Sequence, residues 1–132
     1  MENLIAQVES FMETFNTRDF SKTLDFFTDA SVYVDPFGVQ HSGRAAIGQA
    51  LAPSDDFLNA STQYNVTSTS IDERTSTAIV TWTLVITADG NSSAIDGLDI
   101  LRFREGKIAV KNAFCKAREI STRTVAPTVS EA

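Results

Sequence analysis

Apolar residues near the N-terminus recur at the i, i+3, i+4, i+7 spacing of a helix with one buried face. They are Leu4, Ile5, Val8, Phe11, Met12 and Phe15. Asp19 is a suitable N-cap for a second, shorter helix, which carries Phe20, Leu24 and Phe27. The first part of the chain therefore predicts two helices.

A strand and a third helix are predicted next. The β-branched and aromatic run from Ser31 to Val34 is typical of a strand, and it ends at Asp35. Gly38 closes the following turn, and Ser42 is expected to cap a helix from about Arg44 to Leu51. The Pro-Ser-Asp-Asp sequence after it is expected to end this helix.

The second half of the chain has an apolar period of two, which indicates strands. Four are predicted: Ser61 to Ile71, Ala78 to Thr87, Ser92 to Phe103 and Ile108 to Arg118. Turn-forming residues separate them. Three helices followed by a four-stranded antiparallel meander predict an α+β fold, in which helices pack on one face of a curved sheet and the concave face holds a pocket.

Length and composition narrow the class of protein. The chain has 132 residues, 42% of them hydrophobic, which fits one globular domain. We place this domain at residues 1–120 and expect residues 121–132, rich in Ser, Thr and Pro, to form a flexible tail. The net charge of −6 and the lack of Lys or Arg runs argue against nucleic-acid binding. No leader or long apolar segment is evident, so we expect a cytoplasmic protein with no membrane contact.

Strand alternation places candidate chemistry inside the predicted pocket. The face that carries Trp82 is apolar and is taken as the inner one, and Asp99 shares a face with Leu101. Asp35 and Tyr33 also share a face. If Asp35 points inward, two carboxylates converge on an apolar cavity, where desolvation can raise a carboxyl pKa by up to roughly 3–5 units. Such a pair is a candidate acid and base.

Plainer interpretations of the same residues stay open. Asp35 can simply cap the turn after its strand, and Asp99 can pair with an arginine or lysine. His41 is interpreted as a solvated loop residue, and a lone histidine does not predict a metal site. Cys115 is interpreted as a small core residue. In the last strand, periodicity does not decide whether the set with Lys111 or the set with Asn112 faces inward.

Several segments together resemble a known family. Val34-Asp35-Pro36-Phe37-Gly38, then Ser42-Gly43-Arg44-Ala45-Ala46-Ile47, then Leu98-Asp99-Ile100-Leu101-Arg102-Phe103 are similar to the ketosteroid isomerase and SnoaL-like branch of the NTF2-like superfamily. The resemblance runs from about residue 8 to residue 120. It implies a cone-shaped, cystatin-like α+β barrel with a deep apolar pocket, and commonly a homodimer formed through the outer face of the sheet.

The resemblance also implies roles for particular residues. Asp35 matches the general base and Asp99 matches a protonated aspartate that donates a hydrogen bond to the enolate oxygen. Phe11 and Leu51 stand where the isomerases have tyrosines, so Tyr33 is a candidate replacement donor. The residues expected to bind substrate are Phe11, Phe15, Phe37, Leu51, Phe57, Trp82, Leu84, Ile86, Leu101, Lys111, Ala113 and Cys115.

Three functional hypotheses follow. The first is a cofactor-independent isomerase that binds a small apolar carbonyl compound of the steroid, polyketide or terpenoid type. The second is a SnoaL-like cyclase, in which His41 can act with Asp35 and the carbanion attacks a second carbonyl of the same molecule. The third is a module that binds small molecules or dimerises without catalysis, which the replacements at Phe11 and Leu51 favour.

Overall fold

A computed structural model describes residues 3–116 of the chain. Four helices occur: α1 (Leu4–Asn16), α2 (Phe20–Leu24), α3 (Arg44–Leu51) and α4 (Asp55–Asn59). The first three confirm the predictions. The domain boundary at residue 120, the predicted tail and the last residues of the final predicted strand lie outside the described residues.

The fourth helix was not predicted. Pro53 follows the end of α3, but the Ser54 side chain accepts a hydrogen bond from the Phe57 N–H at 3.2 Å and starts a new helical turn. A second correction concerns the start of α3, where the cap is Gly43 and not Ser42. Gly43 has a φ of 89°, a left-handed value that favours glycine.

Six strands form one curved, unclosed sheet. They are β1 (Val32–Val34), β2 (Gln40–Ser42), β3 (Ser61–Asp72), β4 (Thr77–Ala88), β5 (Asn91–Arg104) and β6 (Lys107–Cys115), in the order β2-β1-β6-β5-β4-β3. The four predicted long strands and the α+β class are confirmed. The predicted antiparallel meander is also confirmed for β3 to β6, and β1 adds to it in parallel with β6, with Tyr33 beside Lys111.

The core lies between the helices and the concave face of the sheet. Phe11 is fully buried, and its ring meets the rings of Phe15, Phe26 and Phe27 edge-on at centroid distances of 5.2–5.8 Å. The sheet supplies fully buried Val80, Leu101 and Ile108, among others. Burial of side chains of this size stabilises the fold by about 1.5–3 kcal/mol each.

The C-terminal end of α1 is bonded directly to the sheet. The Asn16 side chain donates to the backbone carbonyl of Tyr64 at 2.9 Å and accepts from the Tyr64 N–H at 2.7 Å. Two β-bulges, between Val66 and Ser68 and between Arg102 and Phe103, interrupt the strand register and favour bending of the sheet. These features place Phe15 and Tyr64 on the same side of one internal cavity.

Candidate active site

An ion pair lies on the inner face of the sheet. Lys111 on β6 donates through Nζ to Oδ1 of Asp99 on β5 at 2.8 Å, and the Trp82 indole N–H donates to the other oxygen at 3.2 Å. The side chains of Asp99 and Lys111 are only 3% and 7% exposed. Gly97 leaves room for this arrangement, because a Cβ there would lie 2.4 Å from the Trp82 ring.

Three side chains at this site have N–H or O–H donors without an acceptor within residues 3–116. Lys111 has three N–H groups, and Asp99 satisfies one of them. Its ammonium also lies 5.3 Å from the centroid of the Tyr33 ring, a favourable cation–π contact but not a hydrogen bond. The hydroxyls of Tyr33, which is 7% exposed, and of half-buried Tyr64 have no hydrogen-bond partner in this part of the chain. Buried donors are normally satisfied, so this site is suited to an acceptor from a ligand or water.

These groups surround a cavity of about 90 Å³. Its walls are Met12, Phe15, Tyr33, Pro36, Leu51, Tyr64, Trp82, Asp99, Lys111, Ala113 and Cys115. Drug-sized ligands usually occupy pockets of about 300–1,000 Å³. The cavity as it stands therefore accommodates a small molecule or one end of a larger one, not a whole steroid.

Asp35 lies at the edge of the sheet, after β1. Its Oδ1 accepts hydrogen bonds from the backbone N–H groups of Phe37 at 2.9 Å and Val39 at 3.0 Å. Its Oδ2 lies 3.0 Å from Nε2 of His41 on β2. The His41 ring stacks on the ring of Tyr33, at a centroid distance of 5.4 Å. Asp35 therefore both caps its turn, as the plainer interpretation proposes, and pairs with an imidazole.

The pKa of Asp35 departs from the sequence-based expectation. The hydrogen bond from His41 is the largest cause that lowers it, and the two backbone N–H groups add to this effect. The net shift of the Asp35 pKa is therefore downward, and the expected rise of this pKa is wrong in direction. By contrast, burial is the main cause that raises the pKa of Tyr33 to about 12, and the nearby charges of Asp35 and Asp99 add to it. Tyr33 is thus a neutral donor at physiological pH.

The structure brings together about half of the residues expected to bind substrate. Phe15, Leu51, Trp82, Lys111, Ala113 and Cys115 line the cavity, together with the predicted Tyr33 and Asp99. Burial and the negative charge of Asp99 raise the pKa of the Cys115 thiol. The inward orientation of Lys111 answers the question that periodicity left open for β6.

The other expected binding residues lie elsewhere. Phe37 is 91% exposed at the tip of the turn after β1, so it does not contact the cavity. Phe57 lines a neighbouring pocket under α4. Four others pack in the hydrophobic core away from the cavity walls: Phe11, Leu84, Ile86 and Leu101. Their apolar inner faces were recognised, but strand alternation does not distinguish core positions from cavity walls.

The environment of Asp99 does not fit the role of a protonated donor. Both of its oxygens accept hydrogen bonds, one from an ammonium and one from an indole N–H. This is the pattern of an ionised carboxylate. The interpretation of Asp99 as a residue paired with a lysine fits the geometry, and the hydrogen-bond donors offered to the cavity are Lys111 and Tyr33.

Two residues of the site, His41 and Tyr64, differ from the sequence-based expectation. His41 was assigned to a solvated loop, whereas it belongs to β2, where it pairs with Tyr33 across the hairpin. Tyr64 is not among the expected site residues, although its cross-strand partner Leu84 lies on the predicted inner face. The alternation of Thr62, Tyr64 and Val66 was the available signal for Tyr64. Nothing as clear indicated the three-residue strand β2.

Residues 3–116 contain no group of three or more His, Cys, Asp or Glu side chains arranged to hold a metal ion. Over the same residues, no helix combines the length and apolarity needed to cross a bilayer. The site that the structure presents consists of one ion pair, one carboxylate–imidazole pair and two phenols around a small cavity.

Comparison with known proteins identifies one matching family and many solved structures with the same kind of fold. Residues 8–111 match the SnoaL-like domain family. No curated protein matches the sequence. Solved structures with a similar fold include three that differ in their assigned activity, and all three are below 25% identical, so each likeness shows the fold alone.

The first is a protein from Shewanella putrefaciens assigned as a SnoaL-like polyketide cyclase, with a TM-score of 0.72 and 12% identity over 87% of this chain and 90% of that one. The second, from Kribbella flavida and assigned as a ketosteroid isomerase, has a TM-score of 0.68 and 18% identity, with coverage of 88% and 79%. The third is an epoxide hydrolase of the LEH-like type from M. tuberculosis, with a TM-score of 0.67 and 12% identity, covering 86% and 82%.

Proposed function

We propose that this chain, which belongs to the SnoaL-like domain family, is a cofactor-independent enzyme that moves a proton next to the carbonyl group of a small, largely apolar compound. The observation that carries the proposal is the set of unpartnered donors on Lys111 and Tyr33, which face one small cavity beside the Asp35–His41 pair. A carbonyl oxygen is the acceptor that those donors lack.

The proposed reaction begins with the carbonyl oxygen between Lys111 and Tyr33. Removal of the neighbouring proton turns this oxygen into an enolate, and donors placed in a dry site stabilise its charge. Asp35 and His41 together receive the proton across the 3.0 Å contact between Oδ2 of Asp35 and Nε2 of His41. Return of the proton at a different carbon gives an isomer with a shifted double bond.

The position of Asp35 supports this assignment. Tyr33 and Pro36, which flank it in sequence, both line the cavity. A ligand whose oxygen occupies the cavity would extend toward the turn that carries Asp35. In this scheme Lys111 and Tyr33 together supply the oxyanion contacts that the resemblance assigns to tyrosine and to protonated Asp99, and Asp99 positions the Lys111 ammonium.

Proton exchange in deuterated water tests the proposal. We expect the protein to catalyse loss of the α-proton signals of a small β,γ-unsaturated ketone such as cyclohex-3-enone, followed by NMR, with formation of the conjugated isomer. Asp35→Asn is expected to lower the rate by about 10²–10⁴-fold, and Tyr33→Phe by about 10²–10³-fold.

Asp72→Asn is the matched control. Asp72 also accepts a backbone N–H two residues ahead, at 3.0 Å, but it is the exposed last residue of β3 with no histidine bonded to it. Its substitution is expected to leave the exchange rate unchanged. An Asp35→Asn protein with the rate of the original chain would exclude the mechanism.

A cyclase is the closest alternative within the same chemistry, because it needs the same proton abstraction. The carbanion would then attack a second carbonyl of the same molecule. Heptane-2,6-dione distinguishes the two activities: a cyclase converts it into a cyclic enone, while an isomerase only exchanges its protons.

A binding function without catalysis is the second candidate, and one observation favours it. Both oxygens of Asp35 are already engaged, and Asp35 itself does not line the cavity. This candidate predicts that ketones quench the fluorescence of Trp82, the single tryptophan, without any proton exchange. Exchange with even one ketone would exclude it.

We also propose that two copies associate through the outer face of the sheet. Ile79 and Phe114 are 42% and 48% exposed on this face, and Leu98 and Ile100 beside them are half-buried. Apolar side chains in neighbouring positions are typical of a covered surface. Light scattering should give the mass of a dimer, and Phe114→Arg should shift it to that of a monomer.

A further inference from the structure

A second pocket, of about 70 Å³, lies beneath α4. Its walls come from or adjoin all four helices and are Thr14, Phe15, Arg18, Phe20, Thr23, Leu51, Pro53, Phe57 and Leu58. It shares Phe15 and Leu51 with the cavity that contains Lys111. Two half-buried side chains therefore form a common wall between the two spaces.

The two buried hydroxyls of this second pocket donate their hydrogen bonds within the protein. The Thr14 hydroxyl donates to the carbonyl of Phe11 at 2.7 Å, and the Thr23 hydroxyl donates to Thr14 at 2.7 Å. The Arg18 guanidinium is bonded to backbone carbonyls. In contrast to the cavity with Lys111, this space offers mainly apolar surface and no buried donor without a partner, so it is suited to a hydrocarbon group.

The outer wall of the pocket is a weakly attached helix. α4 has five residues, none of them buried, and Leu58 is 50% exposed. Arg18 connects this helix to the end of α1, since its guanidinium donates to the carbonyls of Phe57, Leu58 and Ala60 at 3.2, 3.1 and 2.6 Å. Elements with few buried contacts open at low free-energy cost.

We propose that the pocket beneath α4 binds the apolar body of the substrate, with α4 as a movable cover stabilised by Arg18. The carbonyl end then lies in the cavity beside Lys111, and displacement of Phe15 or Leu51 joins the two spaces. The identity of the carbonyl end rests on the proposed function. The inferred substrate class is a carbonyl compound with a hydrocarbon chain or ring, because the walls of this pocket are mainly apolar.

Binding of 2-alkanones from 2-butanone to 2-nonanone tests this inference, with Trp82 fluorescence as the signal. Each added methylene should tighten binding by about three- to fourfold once the chain enters the second pocket. Leu58→Phe, which fills that pocket from an exposed position, should abolish the gain for long ketones while 2-butanone binds as before. Ile5→Phe, a substitution at a similarly exposed position of α1, should leave the whole series unchanged.

Hydrogen exchange on the unsubstituted protein gives an independent test. 2-Nonanone should protect the backbone amides of residues 55–60, and 2-butanone should not. An affinity that does not change with chain length, or a gain that survives Leu58→Phe, would overturn the inference. If affinity rises with the length of the ketone but no α-proton exchanges, the subsite is supported and the proposed function is excluded. If the protein binds no ketone, both proposals are overturned.

Discussion

Two aspartates, Asp99 and Asp35, each pair with a basic side chain, but the regions around them differ in solvent access. Asp99 lies in the middle of β5 and is 2% exposed, and its partner Lys111 comes from the adjacent strand. Asp35 lies in a turn at the edge of the sheet, where its side chain and that of His41 are 18% and 24% exposed. The first pair is enclosed by the core, and the second reaches water.

This difference in burial assigns different roles to similar residues. A buried charge without its partner costs several kcal/mol, so Asp99 and Lys111 must stay paired to be tolerated. Proton transfer within the Asp35–His41 pair carries no such restriction, because solvent can compensate the change in charge. We therefore infer that Asp99 positions the ammonium group, while the Asp35–His41 pair exchanges protons.

Among the substitutions that test this comparison, the replacement of Lys111 should cause the largest loss of stability. Lys111→Met leaves the Asp99 carboxylate buried without its cation, which is expected to lower the free energy of unfolding by about 3–5 kcal/mol. Urea denaturation measures the change. The control is Lys22→Met, since Lys22 lies 4.0 Å from Asp19 with its side chain 72% exposed, and such a surface pair contributes at most about 1 kcal/mol. Equal losses in the two variants would contradict the assignment.

Gly97→Ala should cause the next largest loss of stability. A Cβ at this position would lie 2.4 Å from the Trp82 ring and 2.5 Å from the backbone oxygen of Phe114. The indole must move, and its hydrogen bond to Asp99 is then lost, so we expect a loss of about 1–3 kcal/mol. Near-UV circular dichroism should report the movement of the single tryptophan. Ser93→Ala, at an exposed position of the same strand, should change neither the free energy of unfolding nor the near-UV spectrum.

The alkaline titration of Tyr33 should show whether its phenol is buried in the folded protein. Its raised pKa of about 12 means that the unfolded chain loses this proton first, near the ordinary value of 10.0. Stability is therefore fully present below pH 10 and is lost as the pH rises toward 12. Phenolate absorbance should rise late in the folded protein, and Tyr33→Phe should remove one of the late steps. A step near pH 10 in the folded state would contradict the burial of Tyr33.

The smallest effect is expected at Asp35. Because its folded-state pKa is lowered, the stability it contributes is present above the pKa of the unfolded carboxyl, about 3.9, and is lost as the pH falls through the folded value. Asp35→Asn removes this contribution, so stability at neutral pH should fall slightly and the acid limb of the stability curve should become less steep. Thermal unfolding between pH 3 and pH 7 measures this. A steeper acid limb in the variant would show that the His41 hydrogen bond does not favour the ionised form.

Periodicity alone located most elements and the inward face of Asp99, because a strand repeats every two residues and a helix every 3.6. Helix α1 and the four long strands follow from this, and so does the apolar face that carries Trp82. What periodicity reports is the face of an element on which a residue lies. It does not report which residue of another element lies opposite.

Only the tertiary structure decided the neighbours, and the neighbours determine the chemistry. The parallel pairing of β1 with β6 places Tyr33 beside Lys111, and the register of β5 with β6 brings Lys111 to Asp99. The β1–β2 hairpin brings His41 to Asp35 and lowers the carboxyl pKa that burial was expected to raise. The pairing of β1 with β6 joins strands that are far apart in the chain, so it depends on packing of the whole chain. The registers of the β1–β2 and β5–β6 hairpins depend on the geometry of their turns and on the bulge in β5, which apolar periodicity does not report.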